Sequence, residues 1–230
     1  MAPVAYIREP GEACARLPGC YAPGLHLRAI PLQGETVTSF PVHSDARRYP
    51  PGDLAIWIFI LAELLVFALF FASYAFTRLQ HVALFNEYQQ TLDRTSALVN
   101  TLALITSSYF VVRGVAAVRA GHPRQCGHWL WAAVAMGALF LAVKSAEYAH
   151  HLGAGINLST NTFYMFYLSL TFFHFMHVIL GMVILSAVAI KAGGGGYSAA
   201  EYTGVETGAS YWHMVDLVWL ILFPLVYVMR

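Results

Sequence analysis

Residues 54–76 read LAIWIFILAELLVFALFFASYAF, an apolar run broken by one charged side chain, Glu63. A helix rises 1.5 Å per residue, so about 20 residues cross the ~30 Å hydrocarbon layer of a bilayer, and this stretch is long enough to span it. It follows Pro50-Pro51-Gly52-Asp53, in which Asp53 can accept from the first unpaired backbone N–H groups of a helix. Four further stretches reach membrane length, at 96–117, 129–148, 163–190 and 209–229. Asn100, Thr101, Thr106, Ser107 and Ser108 interrupt the second, and such small polar residues suit a helix packed against other helices. The sequence therefore predicts an all-α polytopic membrane protein, a bundle of five transmembrane helices.

Composition supports this reading: 58% of the residues are hydrophobic and 11% charged, against roughly 45–50% and 25% in soluble domains. With 13 Lys+Arg against 12 Asp+Glu, the chain lacks the basic excess of a nucleic-acid-binding protein. Cys14, Cys20 and Cys126 form no CxxC and no zinc-finger spacing, which argues against structural zinc and thioredoxin chemistry. Residues 1–51 hold eight of the ten prolines and no apolar core of a secretory signal, so they are expected to form an extended cytoplasmic tail ahead of a membrane domain at 52–230. Between the first two spans, Leu84, Phe85, Tyr88 and Leu92 recur at helical spacing and suggest a short helix in the outer interface. The Gly193–Gly196 run reads as a flexible loop.

Orientation follows from basic residues near the span ends. With the N-terminus inside, the inner flanks hold Arg47, Arg48, Arg113, Arg119, Arg124 and Lys191, and the outer flanks only Arg78, Arg94 and Arg230. The N-terminus is thus expected in the cytoplasm and, after five spans, the C-terminus in the periplasm.

A charge in hydrocarbon costs several kcal/mol, so each one needs a partner, a proton or a task. Glu63 lies near mid-membrane and reads either as a proton-carrying or lipid-headgroup site or as a hydrogen-bonded carboxyl between helices. We expect it to pack towards His174 or His177, which share a face of the fourth span at i, i+3. Lys144 and Glu147, also at i, i+3, read as an ion pair at a helix end. His213 and Asp216 share a face of the fifth span after Tyr211-Trp212. The ten histidines do not make the repeated HxxxH and HxxHH clusters of a di-iron site, and a haem held by His174 and His213 would rest on that single pair. A catalytic nucleophile is equally unsupported, because there is no GxSxG elbow.

At these residues the chain resembles the cytochrome c oxidase subunit III family. The resemblance covers residues 52–230 and rests on Ile60-Leu61-Ala62-Glu63-Leu64-Leu65-Val66-Phe67, Asn100-Thr101-Leu102 with Thr106-Ser107-Ser108, and Ala146-Glu147-Tyr148. It continues through Phe173-His174-Phe175-Met176-His177-Val178-Ile179-Leu180-Gly181 and Tyr211-Trp212-His213-Met214-Val215-Asp216-Leu217-Val218-Trp219. The chain looks like the five-helix form that lacks the family's first two helices. Pro51-Gly52-Asp53-Leu54-Ala55-Ile56-Trp57, 158–167 and 222–230 look most like the accessory E protein of bacterial nitric oxide reductase. The resemblance implies a non-catalytic subunit of the bacterial inner membrane, binding no cofactor itself and assisting a catalytic subunit that carries haem and metal. It also implies phospholipid as a partner and Glu63, Lys144, Glu147, His174, His177, Trp212, His213 and Asp216 as lipid-binding or buried polar residues. The nearest alternative is subunit III of an aerobic cytochrome c or quinol oxidase. A proton-linked transporter is the alternative of another class, and it calls for inverted repeats or broken helices.

Overall fold

The computed structural model describes residues 53–229; the expectations for residues 1–51 lie outside them. In chain order the elements are α1 (Leu54–Gln80), α2 (Val82–Gln89), α3 (Arg94–Arg119), α4 (Pro123–Gly153), α5 (Thr162–Gly193) and α6 (Thr203–Phe223). A π-helical turn, Pro224–Val228, follows α6. Five of these helices are long and apolar enough to cross a membrane. All five extend past the apolar runs at one or both ends. The 31 residues of α4 reach about 46 Å, which covers both interfacial layers as well as the ~30 Å core. Continuing the helix through the interface keeps backbone N–H and C=O groups paired where water is scarce.

Four helix ends have a clear chemical cause. Asp53 caps α1, its side chain accepting from Ala55 N–H, and Asp93 caps α3 in the same way through Thr95 N–H. Gly121, at φ +80°, ends α3: its N–H donates to Val118 O at 3.0 Å and that of His122 to Ala117 O at 3.0 Å, pairing two carbonyls the helix would leave open. The same closure ends α5, where Gly195 has φ +75° and donates to Ala192 O while Gly196 donates to Lys191 O. The Gly193–Gly196 run thus terminates a helix, whereas its composition had suggested only a flexible loop.

Packing sets the depth of each helix in the bundle. In α6, Val205, Tyr211, Trp212, Val215, Val218, Trp219 and Leu222 are buried, so this helix is enclosed on most sides by α1, α3 and α5. In α1 only Ile60, Phe67 and Tyr74 are buried. Their seven-residue spacing marks one narrow seam, and Glu63, three residues after Ile60, borders it. Exposed Ile58, Leu61, Leu65 and Leu69 cover the rest of that helix. Three of the polar residues of α3 bond to neighbouring helices: Ser107 donates to Ala133 O at 2.8 Å, Ser108 to Asp216 at 2.7 Å, and Thr101 accepts from Trp219 Nε1 at 3.0 Å, while Thr106 donates to Leu102 O of its own helix. The expected short helix after α1 is present as α2. Its Phe85 is buried against Tyr74 and Phe163, with ring centres 5.3 and 5.5 Å away, so α2 plugs the bundle as well as skirting it.

Candidate functional site

Lys144 is fully buried and has an acceptor for each of its three ammonium protons: Glu147 Oε2 at 3.0 Å, Tyr167 Oη at 3.2 Å and Tyr227 Oη at 2.6 Å. Both tyrosines also donate to Glu147 Oε1, Tyr227 at 3.0 Å. The rings of Tyr148, Tyr167, Trp219 and Tyr227 surround the ammonium at 5.0–5.8 Å from their centres, close enough for cation–π attraction. Desolvating two charges costs several kcal/mol and is offset only when the remaining hydrogen-bonding capacity is filled, as it is here. The pair was expected at a helix end. Because α4 runs on to Gly153, nine residues or about 13 Å beyond Lys144, the pair instead lies inside the bundle and ties α4, α5 and the terminal π turn together. A cavity of about 400 Å³ lined by Thr91, Asp93, Ser96, His150 and His151 reaches Glu147 from that end of the bundle.

The second ionic site joins α1 to α5. His177 Nε2 lies 3.1 Å from Glu63 Oε2, with side-chain exposures of 10% and 21%. His177 Nδ1 is 2.8 Å from Phe173 O. A carbonyl only accepts, so Nδ1 carries a proton, and Nε2 is then an acceptor in the neutral ring or a donor in the imidazolium. The Glu63 contact therefore needs one proton, on the carboxyl or on Nε2, and the pair is neutral overall in either case. Of the two histidines expected to meet Glu63, the structure selects His177.

His174 is fully buried among aromatic rings, 5.2 Å from Trp219, 5.7 Å from Phe140 and 6.5 Å from Phe67, and neither ring nitrogen has a hydrogen-bond partner in the structure. His213 instead lines a groove between α3 and α6, so the two histidines do not form one site. Asp216 accepts from Ser108 at 2.7 Å, joining α6 to α3. Trp212 is fully buried between two glycines: a Cβ at Gly181 would stand 2.8 Å from its ring and one at Gly137 2.9 Å. Among the described residues, no group of three or more His, Cys, Asp or Glu side chains is placed to hold a metal ion. Sequence reasoning missed Tyr167, Tyr227 and Ser108 as partners of the charged groups, and also Gln89, whose Nε2 donates to Val226 O at 2.8 Å in the π turn.

The fold and these sites define a polytopic helical membrane protein in which Lys144 pairs with Glu147 within α4, Glu63 with His177 between helices, and Asp216 accepts from Ser108. The chain belongs to the cytochrome c oxidase subunit III family, whose profile matches residues 52–230. It is 34% identical over 177 residues to a cytochrome c oxidase subunit 3 of Thermostichus vulcanus, covering 76% of this chain and 86% of that one. A probable cytochrome c oxidase subunit 3 of Nocardia farcinica is 30% identical over 88% of this chain and 98% of its own length. A probable quinol oxidase subunit 3 of Staphylococcus epidermidis is 28% identical over 76% and 88%. These relatives support the aerobic alternative better than the narrower nitric oxide reductase expectation.

Proposed function

We propose that the chain is subunit III of an aerobic terminal oxidase, a non-catalytic membrane subunit beside a catalytic subunit that carries the haem and metal centres. The observation supporting this most directly is the family match through all five spans, joined by relatives named for both cytochrome c and quinol oxidases. The side-chain chemistry agrees: Lys144 pairs with Glu147 and Glu63 with His177, and one oxygen of Asp216 accepts from Ser108. Alternating-access transport calls for helices broken near the midplane, whereas the one departure from α-helix within these spans, the Pro224–Val228 π turn, lies at the end of the last. Phospholipid is the second partner we assign, against the α1–α5 edge where Glu63 and His177 are part-exposed. The protein then lies in the bacterial plasma membrane with its N-terminus inside. Mild-detergent purification with haem spectra and gas-uptake assays tests the reading. Co-purification with an oxygen-consuming haem–copper enzyme is expected, and co-purification with nitric oxide reduction and no oxygen uptake would overturn it. Reporter fusions after residues 50 and 230 test the orientation, since both termini on one side would contradict five spans.

A further inference from the structure

Glu63, Lys144, Glu147 and Asp216 each have a hydrogen-bond partner within the chain. Arg113, on the exposed side of α3, has none among the described residues. Its guanidinium instead stands over the Trp129 ring, 5.4 Å from the ring centre. A guanidinium carries five N–H donors, accepts nothing and keeps its proton in a protein, so at membrane depth it needs an acceptor.

Helix geometry sets that depth. The 26 residues of α3 reach about 39 Å and overhang the ~30 Å hydrocarbon core by about 4–5 Å at each end. Arg113, six residues before Arg119, then lies roughly 5 Å inside the core. Basic side chains near a helix end commonly reach back to the interface. Two features oppose that here. Side chains on a helix lean towards its N-terminus, which for Arg113 is away from the nearer membrane face. Trp129, six residues after α4 begins at Pro123, also keeps the guanidinium beside α4 at a comparable depth.

Tyr109 shares this face at i, i+4 and is 55% exposed, and its hydroxyl has no hydrogen-bond partner among the described residues. It lies roughly 10 Å inside the core, near the midplane, whereas tyrosines of membrane helices concentrate at the interface. Lipid phosphates do not reach that level. A second copy of this chain has no free carboxylate to offer, because Glu63, Glu147, Glu206 and Asp216, the acidic side chains of its five spans, are each bonded within their own chain. Leu102, Ile105, Tyr109 and Val112 are exposed along one stripe at steps of three and four residues, the spacing at which one helix packs into the grooves of another.

On the reading of the chain as an oxidase subunit, we propose that this face of α3 docks a transmembrane helix of the catalytic subunit. That helix carries an Asp or Glu whose carboxylate accepts from Arg113, with an acceptor for the Tyr109 hydroxyl one turn away.

The test uses the full-length chain, tagged and purified in mild detergent with the catalytic subunit. Arg113→Gln removes the charge and keeps a donor. Catalytic subunit retained per chain is expected to fall roughly tenfold or more, since losing one member of a desolvated charge pair weakens an interface strongly. The amount of chain inserted when it is made without its partner should hold or rise, because a charge without an acceptor has gone. Tyr109→Phe is expected to lower retention about threefold, as one neutral hydrogen bond does. A photoreactive phenylalanine analogue at position 109 identifies the neighbour whatever the folding of those variants, and cross-linking to one transmembrane segment of the catalytic subunit that contains Asp or Glu is expected. Cross-links to lipid alone, to a second copy of this chain or to a segment without an acidic residue overturn the proposal, as does full retention in Arg113→Gln. An oxygen-consuming complex whose cross-links from position 109 reach only lipid sinks the docking face and leaves the oxidase reading standing. Cross-links to an acidic helix of a complex without oxygen uptake do the reverse.

Discussion

Two ionic pairs sit at membrane depth in this bundle, and their surroundings are opposite. Lys144–Glu147 has side-chain exposures of 0% and 7%, and two tyrosine hydroxyls complete its hydrogen bonds. Glu63–His177 has 21% and 10%, one carbonyl contact, and a seam helix with few buried residues on one side of it. The first pair is enclosed by the ends of three elements and serves to hold them in register. The second is placed where a lipid or a neighbouring subunit can alter its surroundings. Burial and completeness of the partner set, more than charge, separate an internal tie from an adjustable contact.

Removing one member of the enclosed pair is expected to have the largest effect. Lys144→Met leaves Glu147 as a buried charge whose cation is gone, and breaking such a pair typically costs about 3–5 kcal/mol. The measurement is thermal unfolding in detergent together with the yield of folded chain. Combining Lys144→Met with Glu147→Gln removes both charges and is expected to recover most of that loss, because two charges no longer need desolvating. Equal destabilisation in the single and double variants would mean that the tyrosine network, and not the pairing of charge, holds the three elements.

The seams of the fold were legible because lipid imposes a composition: five apolar runs and the Asp53 cap mark three of the spans to within two residues at their starts, while α4 and α6 begin six residues earlier than expected. The helix ends were less so, since His150 and His151 look like loop residues while α4 carries them through the interface. That shift moved Lys144 from a supposed helix end to the interior. Counting residues from opposite membrane faces brought Glu63 to the level of His174 and left His174 and His177 both open; the packing of α1 on α5 chose His177. Tyr167 and Tyr227 could not be found by depth, because a tyrosine in an apolar run reads as an interfacial anchor, and only the packing of α5 against the π turn brings both hydroxyls to one carboxylate. Gln89 carried no signal, since its acceptor is a backbone carbonyl 137 residues away.

The edge pair is expected to be milder and selective. Glu63→Ala leaves His177 Nε2 without its partner, at a cost of roughly 1–3 kcal/mol, towards the lower end because the site is part-exposed. Glu63→Gln keeps a donor for the neutral imidazole and is expected to stay within a few tenths of a kcal/mol of the wild type, as surface substitutions generally do. Survival of each variant in the membrane and in the complex distinguishes them. Equal loss for Ala and Gln would show that an ionised Glu63 is required, and the pair would then stand closer to Lys144–Glu147 than its exposure suggests.

Asp93 extends the comparison to a third carboxylate, exposed at the rim of the cavity that reaches Glu147. The Ser96 hydroxyl chiefly, with the N–H groups of Thr95 and Ser96, holds its carboxyl below the ordinary value of 3.8 against the opposing effect of burial. A lowered folded-state pKa means that the contribution is present in full above the unfolded value and fades as pH falls through the folded one. Asp93→Ala is therefore expected to cost about 1 kcal/mol or less at neutral pH, the exposed end of the range for a lost N-cap. The gap from the wild type should hold above the ordinary carboxyl value of 3.8 and narrow only as pH falls from there through the lower folded-state value, where the carboxyl of the folded protein becomes protonated as well. Asp93→Asn, which caps almost as well and does not titrate, should track the wild type at pH 7 and differ only in lacking the acid-side loss. Unfolding midpoints of the three proteins across that pH range decide the matter: a gap between wild type and Asp93→Ala that stays constant into strong acid would mean that the cap acts through geometry alone, with no contribution from the charge.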